Sequence, residues 1–138
     1  MTKRQIIGFW VTVAASLGAQ AAGLSGLIAT PHASPIPPPE LAFSWQRPAA
    51  DVIEVQIADQ VYLYDAKTHF SINHGTVAVE RPEGTLLDDP LFGLTPVHRG
   101  QATFKLSETA GPVLIEYQGC ADVGFCYPPM QVELSFSR

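Results

Sequence analysis

The chain has 138 residues, of which 46% are hydrophobic and 15% are charged, and its formal net charge is −5. An acidic chain without a basic patch, and without basic residues interleaved with aromatic ones, is not expected to bind nucleic acid. Its two cysteines and four histidines show no spacing typical of a zinc site, and we expect neither a metal nor another cofactor.

The first 21 residues have the pattern of a secretory signal peptide. Lys3 and Arg4 give a positive start, residues 6–17 are apolar, and residues 19–21 read Ala-Gln-Ala, the small-x-small pattern that a signal peptidase accepts. We therefore predict that residues 1–21 are removed on export and that the remainder is periplasmic, a compartment in which disulfides persist.

An uncleaved membrane anchor is the alternative for this segment. Apolar character continues as far as Ala29, but Gln20 and four glycines interrupt it, so the stretch is only marginally hydrophobic for a spanning helix. Both interpretations leave the rest of the chain outside the cytoplasm.

Residues 22–39 are predicted to be a proline-rich linker. Five prolines lie within residues 30–40, and such a stretch favours extended polyproline conformation over a helix or a central strand. A spacer explains this composition best, and a ligand for a proline-recognising module is the alternative.

Residues 40–138 are long enough for one domain of about one hundred residues. Apolar and polar residues alternate with the period of two that is typical of half-buried strands, and turn residues separate these segments. The clearest predicted strands are residues 53–57, 76–80, 102–106, 113–117 and 131–136. Seven or more short strands at this spacing predict an all-β, immunoglobulin-like antiparallel β-sandwich, and a small β-barrel is the alternative.

The two cysteines lie on either side of a predicted turn between the last two strands. Cys120 and Cys126 flank a five-residue loop in which Asp122 and Gly124 favour a tight turn. Residues facing each other across an antiparallel hairpin are about 4.5–5.5 Å apart between Cα atoms, which is close enough for a disulfide. The spacing therefore predicts that the two cysteines can form one disulfide.

Two prolines follow the second cysteine directly. Pro128 and Pro129 cannot donate hydrogen bonds to a neighbouring strand, so the chain after Cys126 is predicted to be an edge or an irregular segment. We accordingly expect both thiols to lie near the surface.

The residues alone leave open whether this disulfide is structural or redox-active. A single pair in an exported domain is usually a structural bridge. Yet closing so short a loop stabilises a fold by only about 2 kcal/mol in the chain-entropy model, against about 4.7 kcal/mol for a hundred-residue loop. A short loop is therefore a weak reason for a purely structural bridge.

Residues 117–129 carry a specific resemblance. Their sequence, Tyr-Gln-Gly-Cys-Ala-Asp-Val-Gly-Phe-Cys-Tyr-Pro-Pro, resembles the active-site segment of the N-terminal periplasmic domain of the thiol:disulfide interchange protein DsbD. Residues 62–64 resemble a Tyr-Leu-Tyr strand of that family, and residues 88–93 take the place of its cap loop. The resemblance covers residues 39–136, which is the whole predicted domain.

The resemblance implies an immunoglobulin-like fold and a role for each cysteine. Cys126 would be the nucleophile that forms a mixed disulfide with a partner, and Cys120 would be the resolving thiol. Tyr62 and Tyr64 would lie beside the cysteines and support the site.

The cap loop differs from the family pattern at residues 89–93, Asp-Pro-Leu-Phe-Gly. Asp89 keeps one acidic residue, Leu91 stands where the family has a shielding phenylalanine, and Phe92 could provide the cover from the next position. The alternative is that Leu91 and Phe92 are ordinary core residues.

The resemblance also implies partners. These would be thioredoxin-like proteins, namely an electron-donor domain, a disulfide isomerase and a cytochrome c maturation thioredoxin. Because the sequence stops at Arg138, before the family's membrane and thioredoxin-like domains, we expect a membrane electron-transfer protein to act in trans on a free-standing domain. A truncated gene is the alternative to a free-standing domain. The alternatives are an immunoglobulin-like binding or structural module with an inert disulfide, or a degenerate remnant.

Overall fold

The structure is a computed structural model that describes residues 36–137. The predicted signal peptide and all but the last four residues of the predicted linker lie outside the described residues. Within the described part, none of the helices has the length and apolar character needed to cross a membrane.

The described chain is built almost entirely of short strands. One helical turn, α1, spans Pro39–Ala42, and a 3-10 turn spans Asp65–Lys67. The strands are β1 (Phe43–Ala49), β2 (Val52–Ile57), β3 (Val61–Tyr64), β4 (His69–Ile72), β5 (Gly75–Thr76), β6 (Val79–Glu80), β7 (Thr85–Asp89), β8 (Gly93–His98), β9 (Gln101–Leu106), β10 (Val113–Tyr117), β11 (Gly119–Ala121) and β12 (Met130–Leu134).

These strands form three four-stranded antiparallel sheets, in the orders β1-β2-β9-β6, β12-β10-β4-β5 and β11-β3-β8-β7. The last two sheets are continuous along the chain, because β3 leads through the 3-10 turn into β4 and β10 leads through Gln118 into β11. At this junction the amide of Tyr64 donates a hydrogen bond of 3.0 Å to the carbonyl of Gln118. The predicted all-β, immunoglobulin-like sandwich is confirmed.

Alternating side chains of facing strands fill the core. In β2 every second residue is buried, and β10 repeats the pattern with Val113, Ile115 and Tyr117. Phe70 and Phe104, from two different sheets, have ring centroids 5.0 Å apart. Burying such a side chain contributes about 1.5–3 kcal/mol, so this alternation supplies the main favourable contribution to folding.

The prediction of one strand at residues 76–80 is wrong. The structure has two short strands there, and Thr76 pairs with Ser71 of β4 whereas Val79 pairs with Leu106 of β9. Between them the chain passes from one sheet to another, with Val77 buried. A period-2 pattern indicates which residues face the core but not which strand is the partner, so the sequence could not indicate this change of sheet.

The last strand also differs slightly from its prediction. It spans Met130–Leu134 rather than residues 131–136. Phe136 lies beyond its end, with the guanidinium of Arg47 6.0 Å from the ring centroid.

A close approach of two strands positions the cysteine segment. In the pairing of β11 with β3, Gly119 is opposite Leu63 and Cys120 is opposite Tyr62. A Cβ atom at Gly119 would overlap the carbonyl oxygen of Tyr62 and the ring of Phe43. Only glycine lets β11 come this close, and the close approach sets Cys120 against the tyrosines of β3.

We expect Gly119→Ala to destabilise the domain by about 2–3 kcal/mol or more, because the methyl group must displace backbone rather than a mobile side chain. Urea unfolding followed by circular dichroism measures the change. Gly75→Ala is the matched control, since its nearest neighbour would be the carbonyl of Ile72 at 3.4 Å. Equal stability of the two variants would contradict this account of β11.

Candidate functional site

The two cysteines form a disulfide, as their spacing predicts. The S–S distance is 2.11 Å, and the two residues face each other as an isolated antiparallel pair. In the loop between them the amide of Ala121 donates to the carbonyl of Phe125 at 2.7 Å, and the amide of Gly124 donates to the carbonyl of Ala121 at 3.0 Å. Gly124 has φ +94°, which only glycine adopts without strain.

The two sulfur atoms have very different surroundings. Cys120 is only 1% exposed, whereas Cys126 is exposed. The expectation that both thiols lie near the surface is therefore wrong for Cys120. The reason is that β11 pairs with β3, which places Cys120 beneath the side chains of β3. The sequence around Cys120 does not indicate this pairing. Of the two cysteines, Cys126 is the one that is open to solvent.

Tyr127 fixes the chain immediately after the exposed cysteine. Its ring is buried and contacts Phe43 edge-on at 5.5 Å between centroids. Its amide donates to the carbonyl of Gly119 at 2.9 Å, and its hydroxyl donates to the carbonyl of Pro37 at 2.6 Å. Cys126 is thus exposed but directly anchored on its carboxyl side.

A chain of buried polar atoms runs behind the disulfide. The hydroxyl oxygen of Tyr64 lies 3.2 Å from the sulfur of Cys120, and the hydroxyl donates to the Oδ2 atom of Asp89 at 2.5 Å. The hydroxyl of Tyr62 lies 3.4 Å from the same carboxylate oxygen. All four residues are buried, so the structure brings together four of the site residues that the sequence comparison singled out.

The pKa shifts of this pair have clear physical causes. Burial, followed by the hydrogen bond to Asp89, raises the pKa of Tyr64 far above its ordinary value. The hydrogen bond from Tyr64, with smaller contributions from the amides of Leu91 and Phe92, lowers the pKa of the Asp89 carboxyl despite its burial. At neutral pH Tyr64 is therefore a hydrogen-bond donor and Asp89 an ionised acceptor. When the disulfide opens, the Tyr64 hydroxyl is within reach of the sulfur of Cys120.

The turn between β7 and β8, residues 90–92, is called the cap turn here. It is attached to the polar chain, since the Oδ1 atom of Asp89 accepts hydrogen bonds from the amides of Leu91 at 2.8 Å and Phe92 at 3.1 Å. Leu91 is 75% exposed and Phe92 is 51% exposed, so neither is a core residue. The alternative that they are ordinary core residues is wrong.

The cap turn forms one wall of a recess beside the exposed cysteine. The recess has a volume of about 260 Å³, and Leu91 and Cys126 both line it, together with Tyr62, Asp89 and Asp122. Phe92 instead packs edge-on against Tyr64, with ring centroids 5.4 Å apart. Leu91 therefore faces the space in which a partner would meet Cys126, and Phe92 holds the base of the turn.

Two cations at the site were not found by sequence reasoning. The guanidinium of Arg99 bonds the carboxylate of Asp122 at 2.9 and 3.2 Å and lies 5.0 Å from the ring centroid of Tyr62. The ammonium of Lys67 lies 4.0 Å from the ring centroid of Phe92. Asp122 and Phe92 are each more than twenty residues from the cation that they contact, and no local pattern in the sequence marks either contact.

In residues 36–137 no group of three or more metal-ligating side chains lies together.

The sequence comparisons agree with this geometry. Residues 33–137 match the family model described as thiol:disulfide interchange protein DsbD, N-terminal. The chain belongs to the DsbD N-terminal domain family. The DsbD proteins of Escherichia coli strain K12 and of Shigella flexneri serotype 5b are each 34% identical to it over 113 residues, which cover 76% of this chain. The alignment spans only 20% of the length of each of these DsbD proteins.

Solved DsbD structures also resemble this fold. The reduced N-terminal domain of Neisseria meningitidis DsbD matches with a TM-score of 0.64 and 31% identity, covering 75% of this chain and 90% of that one. A structure of the complex between the DsbD and PilB N-terminal domains of N. meningitidis matches with a TM-score of 0.53 and 31% identity, over 71% and 84% of the two chains.

We expect Asp89 to stabilise the domain above about pH 4 and to lose this effect in acid. The folded-state pKa of Asp89 lies below its ordinary value of 3.8, so the unfolded chain takes up the proton first as the pH falls. The difference in unfolding free energy between the wild type and Asp89→Asn should be largest at neutral pH. It should shrink as the pH falls from about 3.8 through the folded-state pKa.

Urea unfolding of the oxidised domain at a series of pH values measures this difference. Asp88→Asn is the matched control, because Asp88 is the exposed neighbour of Asp89 on the same strand. A difference between the wild type and Asp89→Asn that does not change with pH would show that the carboxylate charge is not what Tyr64 stabilises.

Proposed function

We propose that this domain carries electrons in the periplasm through reversible opening of the Cys120–Cys126 disulfide. The observation that carries the proposal is the asymmetry of the disulfide, with Cys126 exposed and lining a recess and Cys120 buried against a tyrosine hydroxyl. Membership of the DsbD N-terminal family supports thiol–disulfide exchange as the chemistry. The domain is then one component of a protein-disulfide reductase system.

In the first half-reaction a thiolate of a reducing partner attacks the sulfur of Cys126. A disulfide forms between the partner and Cys126, the Cys120–Cys126 bond breaks, and its electron pair stays on the sulfur of Cys120. The Tyr64 hydroxyl lies 3.2 Å from that sulfur. Its one hydrogen is donated to Asp89 in the oxidised domain, so it can stabilise the developing charge by turning that hydrogen to the sulfur while the hydroxyl of Tyr62 stays beside the carboxylate. The partner's second thiolate then attacks its own disulfide-bonded sulfur and releases Cys126 as a thiolate.

In the second half-reaction the Cys126 thiolate attacks the disulfide of an oxidised partner, and one of the partner's sulfurs leaves as a thiolate. Cys120 then attacks the sulfur of Cys126, which restores the internal disulfide and releases the other partner sulfur. Two electrons have passed to the partner, and its two thiolates take up protons from water. Cys126 is thus the nucleophile and Cys120 the resolving thiol.

The proposed partners are thioredoxin-like proteins. The donor is a thioredoxin-like domain recharged by a membrane electron-transfer protein, and the acceptors are a disulfide isomerase and a cytochrome c maturation thioredoxin. The recess beside Cys126 supports docking of a partner at this face. The complex formed by the N. meningitidis DsbD and PilB N-terminal domains supports association of this kind of domain with a second protein.

We expect the reduction potential of the cysteine pair to fall between about −180 and −270 mV, the range of exchange catalysts. A redox titration of the purified domain against glutathione or dithiothreitol buffers, read out by thiol alkylation, measures it. A potential below about −300 mV would indicate a structural bridge. The second candidate, an immunoglobulin-like module with an inert disulfide, would then be favoured, in keeping with the burial of Cys120.

We expect the two single-cysteine variants to differ in reactivity. Cys120→Ala leaves the exposed Cys126, which should react with the disulfide reagent DTNB at least about ten times faster than the buried thiol of Cys126→Ala, because a buried thiol reacts only when the structure opens. Stopped-flow absorbance measures both rates. Unfolding in urea should make the two rates similar, and equal rates in the folded variants would contradict the assigned roles.

A further inference from the structure

We propose that Lys67 is a positioning residue for this exchange reaction, and that it acts by packing its ammonium group on Phe92 and so fixing the cap turn beside Cys126. The inference rests on the proposed function, since it concerns access to the sulfur that reacts. It concerns a residue of the 3-10 turn that the cysteine motif does not contain.

The contact between Lys67 and Phe92 is the first observation. The ammonium nitrogen lies 4.0 Å from the centroid of the Phe92 ring and 5.8 Å from that of Tyr64. A cation within about 6 Å of a ring centroid is attracted by the negative face of the ring. Phe92 in turn packs edge-on against Tyr64, so Lys67 and Tyr64 contact Phe92 together.

The exposure of Phe92 is the second observation. With 51% of its surface exposed, Phe92 has less burial than a core residue, and its ring is held on one side by the edge-on contact with Tyr64. Its backbone is fixed by the hydrogen bond of its amide to Asp89 at 3.1 Å, but that bond does not determine where the ring lies. The ammonium of Lys67 adds a second attraction that acts on the ring.

The attachment of Lys67 to the cysteine segment is the third observation. Its ammonium donates a hydrogen bond of 3.2 Å to the side-chain oxygen of Gln118. The side-chain nitrogen of Gln118 donates at 3.2 Å to the carbonyl of Tyr127, the residue that follows Cys126. Lys67 therefore connects the cap turn to the chain on both sides of the disulfide.

These contacts define what Lys67 does. Leu91 forms the wall of the recess that faces Cys126. The next residue is Phe92, which Lys67 contacts. Removing the ammonium frees the Phe92 ring, widens the range of positions of the cap turn and eases the approach of a thiolate to Cys126. Lys67 thus lowers the rate at which the oxidised domain reacts until a partner displaces the cap turn.

The test compares the rates at which dithiothreitol reduces the disulfide in variants of the domain. Lys67→Met keeps the length of the side chain but not its charge, and we expect reduction to be about two- to fivefold faster, the size of a cation–π contact at an exposed site. Lys67→Arg, which preserves the cation, should react like the wild type. Lys105→Met, which removes an exposed lysine of β9, is the matched control and should not change the rate.

The measurement is made in about 1 M salt, where the screening length is about 3 Å, so that attraction of the anionic reductant by a distant lysine does not contribute. Phe92→Leu then tests whether Lys67 acts through the ring. Phe92→Leu alone should accelerate reduction, and adding Lys67→Met to it should have no further effect, because leucine has no aromatic face for a cation.

Three results would overturn the role of Lys67: an unchanged or slower rate in Lys67→Met, a failure of Lys67→Arg to restore the wild-type rate, or an undiminished effect of Lys67→Met in the Phe92→Leu background. Urea unfolding of each variant separates a general loss of stability from a change at the site. Because the reductant is a small dithiol, the rates test Lys67 whatever the partner is. The redox titration tests the proposed function separately.

Discussion

The carboxylate of Asp89 is the group on which the arrangement of the site depends. One of its oxygens accepts hydrogen bonds from the hydroxyls of β3, and the other accepts the amides of Leu91 and Phe92. A buried carboxylate is tolerated only when it is fully hydrogen-bonded, and these donors satisfy it. Asp89 therefore links Cys120, through Tyr64, to the cap turn in one hydrogen-bonded unit. A shift of any one of these three elements alters the hydrogen bonds that hold the other two.

Cations extend this unit at its two edges. Arg99 lies over Tyr62 and bonds the cysteine loop through Asp122, whereas Lys67 lies over Phe92 and bonds Gln118. Each of these contacts is partly or fully open to solvent and so individually weak, unlike the buried hydrogen bonds between Asp89 and the two tyrosines. The site thus has a buried, hydrogen-bonded centre around Cys120 and more exposed contacts around Cys126.

Much of the fold follows from the sequence because burial alternates along single strands. The alternation at Ile53, Val55 and Ile57 predicts β2 correctly, and those of β9 and β10 are equally clear. Residues 76–80 show the limit of this argument, because an alternating segment carries no information about its partner. The sheet change at Val77 is determined by tertiary packing alone.

The site shows the same division between local and distant information. The cysteine pairing follows from a six-residue separation around a turn, and the motif of residues 117–129 identifies the family. The family resemblance placed Tyr62 and Tyr64 beside the cysteines, but the residues around Cys120 do not indicate its burial, because this depends on β11 pairing with β3, which lies far away in the sequence. The contact of Lys67 with Phe92 was equally hidden, since it joins a turn to a loop through an attraction that leaves no pattern in either segment.

The short ring that the disulfide closes has a consequence for the energetics of cycling. Folding and disulfide formation are linked in a thermodynamic cycle. The difference in folding free energy between the oxidised and reduced domains equals the difference in the free energy of disulfide formation between the folded and unfolded chains. A ring that joins residues six positions apart restricts the unfolded chain by about 2 kcal/mol, against about 4.7 kcal/mol for a hundred-residue loop. In the proposed cycle, opening this ring would therefore change the stability of the domain by less than opening a long structural disulfide would.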